Sequence, residues 1–267
     1  MNLVEGSATY TGAKDASGFF SGDTTIFGKP AGVEGVLFTT GHINNSLGPN
    51  DRLDASKDNN LAGSSYLSNL IGGIDTYDAS ILEFRITLDP GTSGLEWEYV
   101  FGSEEYNEGV GDVGALFSDV FSLSLNGSNI ALGNIALVPG TSMPISVNTI
   151  NNGYRANGPC TNCEFFRNNP VDSGGIHSQY NGLTTALKAT AQGLQAGVEY
   201  TLSFSIADAT DGTFDSGVYI AGTSIKAPQP PDEAPVPAPL PLLGAGAAFG
   251  WSRRLRRRVG GHQQIAN

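Results

Sequence analysis

The chain has 267 residues and a formal net charge of -12, divided unevenly: residues 1–226 carry -15 and residues 227–267 carry +3. An acidic body repels phosphate backbones, so nucleic acid is excluded as the expected partner, while cation binding or solubility would suit it. The length accommodates one large all-β domain or two small ones, and 36 glycines call for many short connections.

Met1 to Gly6 has neither the basic residues nor the apolar run of a secretory signal peptide. Residues 8–42 read as short strands broken by glycine, with an apolar run over Gly32–Thr40. Asn44 to Asn60 is dense in Asn and Asp around Gly48-Pro49, which predicts a surface loop. Asp51, Asp54 and Asp58 within it do not have the alternate spacing of an EF-hand. A short helix is predicted within Ala62–Ile74, where Tyr66, Leu67, Leu70 and Ile71 recur at three and four residues.

Strict alternation begins at Ser80–Leu88, with Leu82, Phe84, Ile86 and Leu88 facing in. Asp89-Pro90-Gly91 then predicts a turn that makes this strand an antiparallel neighbour of the next, which carries Leu95, Trp97, Tyr99 and Phe101. An acidic loop, Ser103 to Glu108, separates it from a strand carrying Phe121, Leu123 and Leu125. Further strands are expected at Asn129–Val138 and Ile145–Ile150. Later ones carry Leu183 to Ala191, with Leu183, Thr185, Leu187, Ala189 and Ala191 on one face, then Tyr200 to Ile206, and last Gly217–Ile225. Asn151 to Tyr180 is a long loop. Many strands and scarce helical periodicity predict an all-β fold, a β-sandwich for which a jelly roll is one topology.

Asp208, Asp211 and Asp215 cluster at a strand end, with Gly212 tightening the turn. Hard carboxylate ligands on a turning backbone suit Ca²⁺, whereas the same aspartates could cap turns through backbone N–H groups. Glu104, Glu105 and Glu108 have three readings: Glu104 and Glu105 as a hydrolytic acid/base pair, calcium ligation in which one of them joins Asp119 or the Asp208 cluster, or solvated loop charges. Adjacent residues on an extended backbone point to opposite faces, which hinders the first. Cys160 and Cys163, three apart in a polar loop, read as a local disulfide, with zinc and redox roles as alternatives; the histidines are His42, His177 and His262. Nucleophile elbow, P-loop and dinucleotide patterns are missing from the sequence, so catalysis is not expected.

Beyond Lys226 the chain becomes proline-rich, then wholly apolar from Leu242 to Trp251, then basic at Arg253, Arg254, Arg256, Arg257 and Arg258. About ten apolar residues are too few to span a bilayer unaided, but suit an interfacial segment with snorkelling arginines.

Four stretches carry a family resemblance: Val100–Glu108, Phe117–Gly127, Ile135–Asn151 and Ile206–Ile220. Together they resemble the bacterial choice-of-anchor L domain over residues 5–226, a family defined by association with surface anchors rather than by an activity. The tail resembles a PEP-CTERM sorting signal in its VPxPLPLLG form, carried by Val236, Pro237, Pro239 and Pro241, with Pro-Ala-Pro in place of Pro-Glu-Pro. This second resemblance implies export, transient inner-membrane anchoring and an exosortase-type partner. The resulting organisation is a sandwich at 5–226, a linker at 227–239, a sorting anchor at 240–258 and a disordered tail at 259–267. The expected role is that of a cell-surface or matrix binding component. A calcium-dependent carbohydrate-binding module, with Tyr106 or Tyr219 exposed in a groove and envelope polysaccharide as partner, is the alternative, and a hydrolase is a third.

Overall fold

The computed structural model describes residues 1–111 and 117–222. In chain order its strands are β1 (Asn2–Leu3), β2 (Thr9–Thr11), β3 (Ser17–Asp23), β4 (Val33–Thr39), β5 (Thr76–Thr87), β6 (Gly94–Ser103) and β7 (Val120–Gly127). They continue with β8 (Ile130–Asn134), β9 (Ile145–Ser146), β10 (Phe166–Asn168), β11 (Gly182–Thr184), β12 (Leu187–Gln192), β13 (Glu199–Ala209) and β14 (Ser216–Ala221). Over the described residues they form two seven-stranded antiparallel sheets. The first runs β1-β5-β13-β7-β8, with β2 also on β5 and β9 also on β7; the second runs β10-β11-β6-β14-β4-β3, with β12 also on β6. The β-sandwich expected from the alternation is the observed architecture.

Alternation explains why the sheets stack. Tyr200, Leu202, Phe204 and Ile206 of β13 and Phe121, Leu123 and Leu125 of β7 meet Leu95, Trp97, Tyr99 and Phe101 of β6 and Val218 and Ile220 of β14 in one buried cluster. Each such large side chain removed from water contributes about 1.5–3 kcal/mol. The outer face of the second sheet has its own apolar layer, in which Val100, Tyr180, Leu183 and Tyr219 pack together. The helix α1 (Ser65–Leu70), capped by the Ser64 hydroxyl, covers the outer face of the first sheet by burying Leu67 against Ala79, Val120 and Ala207.

Four expectations are corrected. β5 and β6 are not neighbours: β5 pairs with β1, β2 and β13, while β6 lies in the other sheet. Residues 88–93 are long enough to step between layers about 10 Å apart, and Ile86 shares the interlayer core with Leu95 and Trp97 from the opposite sheet. Turn residues of this type serve a sheet switch as well as a hairpin.

Leu183 does not share a face with Leu187, Ala189 and Ala191. Leu183 pairs with Gly102 and Leu187 with Tyr99, so four steps on one strand match three on the other. The extra residue inverts the alternation, placing Leu183 in the outer layer and the other three in the interlayer core.

The segment from Asn44 to Asn60 is not simply a surface loop, since Ala55 and Asn50 are buried within it. Its polar side chains are spent inward: Asn50 Nδ2 donates to Asn169 O at 2.7 Å and Asn181 Oδ1 at 2.9 Å. Elsewhere, β9 covers only the start of the strand expected at Ile145–Ile150, because the Thr149 hydroxyl bonds Pro144 O at 2.7 Å and accepts Ser146 N at 2.9 Å, turning the chain. Residues 151–180 hold two short 3₁₀ turns and β10.

Candidate functional site

The ends of β6 and β13 and the starts of β7 and β14 gather at one end of the sandwich. Antiparallel register requires it: Val120 sits opposite Ala207, and Ser216 opposite Ser103. Asp119 closes the seam between the sheets, its Oδ1 accepting Ala209 N at 2.9 Å and its Oδ2 accepting the Ser216 hydroxyl at 2.7 Å. Carboxyl groups occupy the same interlayer space that leucines and aromatics fill further along the strands.

On the inner side are Asp119, Asp208 and Glu105. Asp208 is 0% exposed, and among the described residues neither of its carboxyl oxygens has a well-formed hydrogen bond; the Thr40 hydroxyl is near enough to pull the carboxyl down slightly against burial. Burial, and then the charges of Asp119 and Asp215, hold the Asp208 carboxyl well above its ordinary value. Burial pushes Asp119 up to about 7 against the pull of its two hydrogen bonds. Glu105, 4% exposed, is raised to about 9 by burial and next by Asp119 and Asp211.

Glu104 answers chiefly to other groups, though Glu108 acts on both glutamates. The Glu104 backbone N–H donates to Asp215 O at 3.0 Å, and its carboxyl is raised to about 9 by burial and next by the charge of Asp215, with Arg52 pulling it down and Asp54 pushing it up; it acts in turn on Tyr219. Both its carboxyl oxygens are buried and unpartnered among the described residues. Glu104 and Glu105 therefore serve opposite faces of the second sheet, as the two-residue period requires. Asp215 holds the 44–60 segment in place: Oδ1 accepts Lys57 N at 3.0 Å and Oδ2 accepts Asn45 Nδ2 at 3.2 Å, with its carboxyl raised to about 6, chiefly by burial. A Cβ at residue 41 would overlap this carboxylate, which is why Gly41 stands there.

Asp211 caps its own turn, its Oδ1 accepting Thr213 N at 3.0 Å and the Thr213 hydroxyl at 2.9 Å. It also lines an open groove of about 790 Å³, with Asp58, Asp75, Tyr77, Asp78 and Gly212. Tyr77 is 39% exposed. The groove exists because β5 bulges: Tyr77 and Ser80 pair with Asp208 and Ile206, one residue too many on β5, and Asp78 takes φ 48° there. The Asp78 carboxylate then fixes the facing segment by accepting Asn59 N at 2.7 Å and Leu61 N at 2.6 Å.

Tyr106 and Tyr219, expected as exposed groove aromatics, are instead buried; Tyr106 packs on Phe101 and Phe166. The exposed aromatic lining this groove is Tyr77, while Tyr10, Phe19, Tyr66 and Tyr154 are exposed elsewhere. Tyr77 and Asp78 escaped the sequence reading because a bulge leaves no mark on alternation. Cys160 and Cys163 are joined in a disulfide, their Cα atoms 5.5 Å apart. Among the described residues, no three Asp, Glu, His or Cys side chains already surround a single point as a metal site would require. The sorting motif Val236, Pro237, Pro239 and Pro241 and the arginines at 253, 254, 256, 257 and 258 lie outside the described residues. No helix among those described is long and apolar enough to cross a membrane.

Fold and site together define a two-sheet antiparallel sandwich with a carboxyl-lined end and an acidic groove beside it. The family model of the Choice-of-anchor L domain matches residues 2–226, and the chain belongs to that family. A search of curated proteins finds no match. Among solved structures the chain is similar to TmCBM61 in complex with β-1,4-galactotriose (8% identity, TM-score 0.30, covering 80% of this chain and 86% of that one). It is also similar to the K1 cleaved adhesin domain of Lys-gingipain from Porphyromonas gingivalis W83 (14% identity, TM-score 0.31, covering 85% and 95%). Likeness at this level bears on neither ligand nor role.

Proposed function

We propose that the protein is an exported binding module, held at the cell surface or in the extracellular matrix by its C-terminal tail, and that the groove at Tyr77 is its binding face toward envelope polysaccharide. The observation that carries the ligand reading is an exposed tyrosine set among Asp58, Asp75 and Asp211 in one open groove. An aromatic face packs on a sugar ring while carboxylates accept its hydroxyl protons, the combination of apolar wall and few polar groups that orients a small ligand. Membership of the anchor-associated family supports the surface location. A calcium-dependent carbohydrate-binding module is the narrower form of the same reading. Binding is favoured over hydrolysis because Glu104 and Glu105, the pair a hydrolase would use, feel different carboxylates most strongly, Asp215 for Glu104 and Asp119 for Glu105, with Glu108 acting more weakly on both.

Retention of the full chain on immobilised envelope polysaccharides tests the ligand. Tyr77→Ala should weaken retention about two- to tenfold, the equivalent of about 0.5–1.5 kcal/mol for one aromatic contact. Retention unchanged by that substitution would move the binding face elsewhere, and a wild-type chain that none of the polysaccharides retains would overturn the polysaccharide reading. The anchor has its own test: deleting Pro235 to Asn267 should release the protein from membranes, and a truncation that stays membrane-bound refutes it.

A further inference from the structure

We propose that Asp119, Asp208 and Glu105, between the sheets at the carboxyl-lined end, bind one divalent cation of the calcium class, admitted from the groove past Asp211. The inference stands independently of the groove's ligand.

Asp208 carries it. The side chain is fully buried, with both oxygens unpartnered among the described residues. A buried carboxyl without donors is costly in either charge state, and natural folds keep one where a function, a bound water or an ion completes it. Asp119 supplies the fixed part of the site. Its two hydrogen bonds, from Ala209 N and the Ser216 hydroxyl, orient the carboxylate at the seam and use two of about four lone-pair positions, leaving the others for a ligand. Asp119 is also the charge that Asp208 and Glu105 each feel most.

The charges acting most strongly on these three groups are all carboxylates: Asp78, Asp211, Asp215, Glu108 and one another. Arg52 and Lys57 act instead on Glu104 and Asp78. A cation between the sheets would balance charge that no neighbouring base offsets. All-oxygen donors without imidazole or thiolate select a hard ion, and a site drawn from separate strands and a loop suits the longer, adaptable bonds of calcium over the rigid octahedron of magnesium. Because no three carboxylates surround one point among the described residues, binding includes a turn of the Asp208 side chain, which has no well-formed hydrogen bond to give up.

The test is calcium titration of the chelator-treated full chain, read by calorimetry and by thermal melting. Saturable binding of one calcium per chain is expected, with a higher melting temperature because the ion binds only the folded state. Asp208→Asn should abolish both signals. Glu104→Gln, on the other face of the sheet, should keep them. A wild-type chain with neither saturable heat nor a melting shift overturns the site, and so does loss of binding in Glu104→Gln with retention in Asp208→Asn. Should Asp208→Asn fold poorly, terbium luminescence on the wild type decides: emission sensitised by Tyr106, whose phenol senses Asp119, and quenched by calcium is expected, and its absence counts against the site.

Discussion

The middle of the interlayer and its carboxyl-lined end are built from the same strands. β13 places Leu202 and Phe204 in one and Asp208 in the other; β6 places Trp97 and Tyr99 in one and leads to Glu105 in the other. In the middle, burial gains free energy in proportion to apolar area and asks nothing of geometry beyond close packing. At the end, burial costs free energy unless each oxygen finds a donor or an ion. The difference teaches that alternation sets which side chains go inside, while chemistry sets whether going inside stabilises. The end is thus the part of the sandwich that stability alone does not explain.

Substitutions in the two places should differ in size and in sign. Phe121→Ala removes a fully buried ring packed on Tyr99 at 5.1 Å and should cost about 3–5 kcal/mol, read as a lower denaturation midpoint. A cost under about 1 kcal/mol would mean that the middle is not the main source of stability. Gly41→Ala drives a methyl into the Asp215 carboxylate and should cost about 1–3 kcal/mol. Because Asp215 holds Lys57 N and Asn45, that variant should also expose the 44–60 segment to proteolysis, and an unchanged cleavage pattern would argue that other contacts hold the segment.

The middle was the legible region. The spacing of Tyr200, Leu202, Phe204 and Ile206, or of Leu95, Trp97, Tyr99 and Phe101, reads directly as strand faces. The opposed faces of Glu104 and Glu105 followed from the same period. Illegible features all involve one residue too many or a choice between equivalent turns: the slip between Leu183 and Leu187, the bulge that presents Tyr77 and Asp78, and the passage from β5 to β6. Burial of Asn50 and Ala55 was hidden for another reason. A polar segment can be internal when its amides find partners such as Asn169 and Asn181, and those lie more than a hundred residues away.

In chelator, the carboxyl-lined end should make the protein less stable as pH rises. Glu104 and Glu105 are raised to about 9 and Asp119 to about 7 in the fold. Their folded-state values exceed the unfolded ones near 4.5 and 3.8, so the native state holds more protons over that interval and stability falls with pH. The contribution is fully present below the unfolded values and lost as pH passes through about 7 and then about 9. Melting temperature measured from pH 5 to 9 in chelator should decline. Asp208→Asn should flatten the decline by removing one of the groups that must ionise. A profile flat across that range in the wild type would show that the carboxyls are better solvated than their burial indicates.

The smallest effect belongs on the solvent side of the first sheet. Arg85 Nη1 lies 2.6 Å from Glu199 Oε2 between β5 and β13, with both side chains about half exposed. Water screens such a pair, and ordering two long side chains offsets much of the attraction, so Arg85→Ala should cost about 0.2–1 kcal/mol and less in high salt. The pair differs from Asp208 in two respects: its carboxylate is half exposed to water and it faces a guanidinium, whereas Asp208 is buried among other carboxyls. If Arg85→Ala instead cost as much as Phe121→Ala, charge on the open face would matter as much as packing in the middle, and the contrast between interlayer and surface would fail.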